Sequence, residues 1–235
     1  MKQITPVLLL ATALTSSAAT IEIFNTGSSD LQSVGIRDGF SNQGAAEYSI
    51  VGQTTTSGDL LRGLLTFDLS DPLLAGATIN SVTLTLTVGK DDPTSTNGDV
   101  TLNLFELTTP YVYDEATWVK ATDTTDWTTE GGDYSTLLAS EDANPGTAPG
   151  GTEIDFTGSA LDSYVQSSIG ETIYLLTKLD VENNATRDIF FFVREGNSAR
   201  PTLAIDYTPV PEPSSFALIA GFACLGGLAL RRSRS

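Results

Sequence analysis

The sequence predicts an all-β protein, a two-sheet antiparallel β-sandwich of jelly-roll type with one short helix. Three observations carry this. Apolar residues alternate with threonine over short runs, which is the period of a half-buried strand. Those runs are separated by Gly-, Pro-, Asn- and Asp-rich turns. Only one stretch has helical spacing.

Met1 to Ala19 reads as a secretory signal peptide, with Lys2 before an apolar centre from Val7 to Leu14. Ser17, Ala18 and Ala19 form a small-residue cleavage site, placing the cut between Ala19 and Thr20. The body, residues 20–208, is long enough for one sizeable core and is expected to be one domain. Thr20–Phe24 alternates and is the first strand. Asp38-Gly39 and Asn42-Gln43-Gly44 mark a loop region with short strand pieces. Leu61–Leu69 is a strand that ends in the turn Ser70-Asp71-Pro72.

Ile79–Val88 is the clearest strand. Val82, Leu84, Leu86 and Val88 point one way, and Thr83, Thr85 and Thr87 the other. Val100–Leu107 alternates again, and the two are expected to form a hairpin across the loop Gly89–Gly98. Tyr111–Asp133 is aromatic and acidic, and Glu141–Gly151 reads as a long surface loop. Glu153–Phe156 is a short strand. Gly158–Gly170 is the predicted helix, with Leu161, Tyr164, Val165 and Ile169 about one turn apart. Thr172–Thr177, Ile189–Glu195 and Pro201–Tyr207 complete the strands.

The last 26 residues, 210–235, have three parts. Pro211, Glu212 and Pro213 form an extended spacer. Phe216–Leu230 is an uncharged apolar run, predicted to be a helix that reaches 17 residues with Ser214 and Ser215, the short limit for crossing a bilayer. Arg231, Arg232 and Arg234 hold the far end on the cytoplasmic side. Within the tail segment 209–235, residues 210–235 resemble the PEP-CTERM sorting signal of exported bacterial proteins. The resemblance implies export through the inner membrane, recognition by an exosortase, removal of the tail, and a destination in the cell envelope or exopolysaccharide matrix. An ordinary C-terminal transmembrane anchor would also place the body outside the cytoplasm.

Composition narrows the chemistry. The body holds 28 acidic residues (all of the chain's 29 but Glu212) against 8 basic ones, a net charge of −20. Nucleic acid is therefore excluded as a partner, and an acidic polymer needs bridging cations. Neutral glycan or calcium suits this charge. The chain has no histidine, and its one cysteine, Cys224, lies in the tail. That removes Ser-His-Asp triads, Cys-His dyads and imidazole-based zinc sites.

A second resemblance runs through the body. RGLLTFDLS (Arg62–Ser70) precedes a strand of the SVTLTLTV kind. Next comes DEATWVKA with a following tryptophan (Asp114–Trp127), and last FFFVREGNSARPTLAIDY (Phe190–Tyr207). This order is similar to the DNRLRE domain, a secreted β-sandwich grouped with carbohydrate-binding modules. The few basic residues argue against acidic glycans such as alginate.

Candidate sites follow. Tyr111, Tyr113, Trp118 and Trp127 could stack on sugar rings while nearby polar groups bond the hydroxyls. The alternative is that both tryptophans plug the core; Tyr111 and Tyr113, just after Pro110, are expected to be exposed. Asp91, Asp92, Asn97 and Asp99 concentrate oxygen ligands of the kind calcium selects, around a glycine turn. A solvated turn explains the same residues. Glu22 and Asp206 could share a structural calcium if the first and last strands are neighbours. Arg194, Glu195 and Arg200 are expected to act structurally, as a clamp on carboxylates near a strand end. No spacing singles out a glycosidase pair among so many carboxylates. The expectation is a non-catalytic exported protein that binds or organises extracellular polysaccharide in a surface matrix or biofilm. The alternatives are a structural matrix protein with no glycan ligand and a carboxylate-only hydrolase or lyase.

Overall fold

The computed structural model describes residues 17–24, 33–39, 48–54, 59–92, 95, 98–182, 188–193 and 199–210. Eleven strands form one antiparallel sheet that curls into two layers: β1 (Ala19–Phe24), β2 (Ser33–Arg37), β3 (Tyr48–Gln53), β4 (Leu60–Asp68), β5 (Thr78–Lys90), β6 (Val100–Leu107), β9 (Tyr134–Ala143), β10 (Glu153–Thr157), β11 (Thr172–Leu179), β12 (Asp188–Val193) and β13 (Thr202–Thr208). A separate ribbon pairs β7 (Lys120–Thr122) with β8 (Thr125–Asp126). The helix α1 spans Ser159–Ser167. The sequence-predicted fold class, sandwich-like and all-β, is what the chain adopts.

The long strand β5 joins the layers. Its first part pairs with β13 and β10, and its last residues pair with β12. Val82, Leu84, Leu86 and Val88 are buried as their alternation predicts. They meet Leu102 and Leu104 of β6, Leu65 and Phe67 of β4, and Leu175 and Leu179 of β11 in one core.

The expected β5–β6 hairpin does not form. β6 pairs with β11 and β9 instead. The two strands stand apart in the strand order, and their apolar residues meet in the common core rather than side by side. The expected surface loop from Glu141 is also corrected: strand β9 runs on through Glu141, Asp142 and Ala143.

The helix docks by side chain as well as by burial. Leu161 and Val165 enter the core. Asp162 Oδ1 accepts the Val82 N–H at 2.8 Å, and Gln166 Oε1 accepts the Ile79 N–H at 2.8 Å. These bonds satisfy strand donors that would otherwise need a neighbouring strand. The first and last strands pair, with Ala19 opposite Tyr207 and Thr20 opposite Asp206.

Candidate functional site

The segment that follows β6 folds back over the outer face of the sheet. β4, β6 and β11 are therefore covered on both sides. Their inward residues face the sandwich core, while Leu64, Leu107 and Leu176 face outward into a second cluster. Tyr111, Ala116, Trp118, Ala121 and Trp127 close that cluster from above, joined by Val34 and Ile36 of β2.

This placement corrects the expectation of a stacking platform. Tyr111, Trp118 and Trp127 are only 7%, 6% and 5% exposed. Their ring faces pack on protein and are not open to a sugar. Burying such a ring is worth about 4–6 kcal/mol of gross transfer free energy, at roughly 25 cal/mol per Å² over 150–250 Å². A ring held in water for a ligand forgoes that. Two of the three polar handles are also occupied. Trp127 Nε1–H donates to the Thr117 carbonyl at 2.9 Å, and Tyr111 is hydrogen bonded to the Thr66 side chain. Burial pushes the Tyr111 phenol well above its ordinary value. Tyr113 is half-buried against the same cluster.

Arg62 of β4 ties the cover down. Its Nε and Nη2 donate to both carboxylate oxygens of Glu182, at 3.0 and 2.8 Å. Nη1 donates to the Gly131 carbonyl at 2.9 Å, and the guanidinium lies 4.9 Å from the Trp118 ring centroid and 5.4 Å from that of Tyr134. Lys178 of β11 adds a second cation 3.3 Å from Glu182 Oε2. A planar fork satisfies a carboxylate, a carbonyl and an aromatic face at once, which lysine cannot do.

Held in place this way, the turn at Gly131 and Gly132 opens a surface cleft of about 540 Å³. Both glycines have positive φ, 86° and 105°, and a Cβ on Gly131 would lie 2.8 Å from the Trp118 ring. The cleft is lined by Thr108, Thr109, Thr128, Thr129, Asp133 and Tyr134. Asp133 is its knot. Oδ1 accepts the Thr129 N–H at 2.8 Å; Oδ2 accepts the Thr128 N–H at 3.0 Å and the Thr109 hydroxyl at 2.9 Å. Partial burial disfavours the charge, but these donors and the Thr128 hydroxyl outweigh it, so the carboxyl sits below its ordinary value. Tyr134, 36% exposed, packs on Phe105 with ring centroids 4.8 Å apart.

The described carboxylates of the candidate calcium loop are not grouped as a metal site. Asp91 and Asp99 are exposed, Asp92 is buried, and Asn97 lies outside the described residues. Beneath this loop the Ser95 hydroxyl donates to Oδ1 of the fully buried Asp188 at 2.8 Å. Asp99 instead lines an acidic cleft of about 460 Å³ with Glu141, Asp142, Glu153 and Asp155. Glu22 faces Ala204, and Asp206 faces Thr20 and accepts from Asn80 Nδ2 at 3.2 Å, so the two carboxylates sit diagonally across the strand pair. Among the described residues no three His, Cys, Asp or Glu side chains are grouped to hold a metal ion.

Arg200 packs over the Phe24 ring, 4.5 Å from its centroid, and among the described residues it makes no ion pair with a carboxylate. Arg194 and Glu195 fall outside the described residues. So do Pro211, Glu212, Pro213, Arg231, Arg232 and the apolar run between them. Of the cleavage residues, Ala19 and Thr20 already belong to β1.

Sequence reasoning missed Glu182, Asp133 and the cleft threonines. A signal for the cover existed: Leu64-Leu65 and Leu175-Leu176 break the alternation, as strands buried on both faces do. Nothing comparable marked the cleft. No protein-family profile matches the chain, and no curated protein matches it.

Proposed function

We propose that the chain is an exported, non-catalytic protein of a bacterial surface or matrix that binds or organises extracellular polysaccharide. The observation that carries this reading is the open cleft at Asp133, whose wall is built of hydroxyls, a carboxylate and a partly exposed tyrosine. Such a mixture suits a polyol better than it suits nucleic acid or an apolar ligand. Export rests on the signal-peptide and sorting-tail patterns at the two ends of the sequence. Ala19 pairs with Tyr207, so the two ends of the described body lie side by side.

The test is co-sedimentation of the full chain with insoluble or cross-linked polysaccharides, neutral and acidic, with and without calcium. Retention on at least one polymer is expected. The net charge of −17 on the full chain predicts that acidic polymers retain it only when calcium is present. Absence of retention on every polymer would leave the second reading, a structural matrix protein with no glycan ligand. Burial of Trp118 and Trp127 is the observation that favours that reading.

A further inference from the structure

We infer that the Asp133 cleft is a subsite for a neutral, hydroxyl-rich sugar unit, seated beside Tyr134 and recognised through its own O–H donors. This rests on the polysaccharide reading above and adds the site and the ligand chemistry.

The argument is one of donor and acceptor supply. Three of the four threonine hydroxyls in the wall have committed their protons inward. Thr109 donates to Asp133 Oδ2 at 2.9 Å, Thr108 donates to the Asp133 carbonyl at 3.0 Å, and Thr128 is hydrogen bonded through its side chain to the same carboxylate. A hydroxyl has one proton and two lone pairs, so what these groups turn outward is acceptor capacity. The carboxylate behind them is also an acceptor and carries a negative charge. A ligand that brings its own donors and no charge complements this wall. A sugar carboxylate or sulfate would meet lone pairs and like charge.

The aromatic complement is present too. Tyr134 lines the cleft with 36% of its surface exposed, while Phe105, the Arg62 guanidinium and the Lys178 ammonium lie against its ring. A supported tyrosine with about a third of its surface uncovered offers that exposed part to the C–H groups of a pyranose. The site is preorganised. Arg62 holds the Gly131 carbonyl, and the backbone N–H groups of Thr128 and Thr129 are fixed on Asp133. Ordering costs are therefore already met before a ligand arrives. The volume of about 540 Å³ is within the range of small-molecule sites.

The experiment is native gel electrophoresis of the full chain in mild detergent, through gels containing dextran, galactomannan or hydroxyethyl cellulose, with alginate as the acidic comparator. Wild type is compared with Tyr134→Ala, Tyr134→Phe and Thr129→Val, and near-ultraviolet circular dichroism verifies that each is folded. A neutral polymer should retard wild type and alginate should not. Tyr134→Ala should weaken binding about tenfold, Thr129→Val about threefold, and Tyr134→Phe by no more than about twofold. Because Thr129→Val and Tyr134→Phe leave the packing intact, the proposal survives a misfolded Tyr134→Ala. Equal retardation of wild type and all folded variants would overturn the cleft as the site and leave the polysaccharide reading standing. Retardation by alginate alone, lost in Thr129→Val, would overturn the neutral ligand class. No retardation in any gel would overturn both readings.

Discussion

The Arg62 guanidinium lies over the Trp118 indole, 4.9 Å from the ring centroid, and joins strand β4 to the segment that covers it. Arg62 also bonds Glu182 and Gly131, which lie 120 and 69 residues away along the chain. One side chain therefore fixes the cover, the Gly131 turn and the segment after β11 relative to the sheet.

Replacing this arginine should be among the most damaging single changes. In Arg62→Met, Glu182 keeps, among the described residues, Lys178 alone as a charged partner in a place where its side chain is 9% exposed. Removing one partner of a buried pair costs about 3–5 kcal/mol. Urea denaturation should show that loss as a lower midpoint with little change in slope. A loss below about 1 kcal/mol would mean that the pair is effectively solvated.

Both tryptophans should be silent to solvent. Acrylamide should quench the native protein far less than the urea-unfolded chain, and the native emission should lie to the blue of it. Trp127→Phe removes the Nε1–H bond to Thr117 and leaves a gap beneath the cover. A cost of about 1–3 kcal/mol is expected. Strong native quenching would show that the cover opens in solution.

Asp133 should make the fold acid-sensitive. Its folded value lies below 3.8, so its contribution to stability is complete above the unfolded value and is lost as pH falls through the folded one. Stability measured from pH 6 downward should therefore decline more steeply below about pH 4 in wild type than in Asp133→Asn. Identical slopes in the two proteins would remove Asp133 from that role.

Alkaline titration should divide the seven tyrosines. Burial pushes the Tyr164 phenol up to about 12 and the Tyr111 phenol higher still. Both favour the neutral form when folded, so their contribution is full below the ordinary value of 10.0 and is lost as pH rises beyond it. Absorbance at 295 nm should show at least two tyrosines ionising only as the protein unfolds. Tyr111→Phe should shift the alkaline unfolding midpoint upward if the phenol's ionisation drives it, and should also cost some stability at neutral pH through the lost Thr66 bond.

How much could be read from the sequence differs by element. Strands β4, β5, β6, β10, β11 and β13 and the helix stand within a few residues of where alternation and helical spacing put them. Strand β9 was hidden because its acidic end looks like loop and its exposed start, Tyr134 to Leu137, lacks alternation. The pairing of β5 with β13 rather than with β6 was also illegible, since an apolar face specifies what it must bury but not which neighbour stands beside it.

The sequence by itself determined the class of the fold, the faces that turn inward, the acidic charge and the chemistries that lack of histidine excludes. Each of these is local or additive, set by side-chain period, turn residues or a count. Only the tertiary structure decided that Trp118 and Trp127 seal a second core while Asp133, Thr128 and Thr129 line the open cleft. An aromatic residue has the same local pattern whether it awaits a ligand or a sheet. Which it meets depends on where the chain returns, and here it returns across the outer face of β4, where Arg62 holds it.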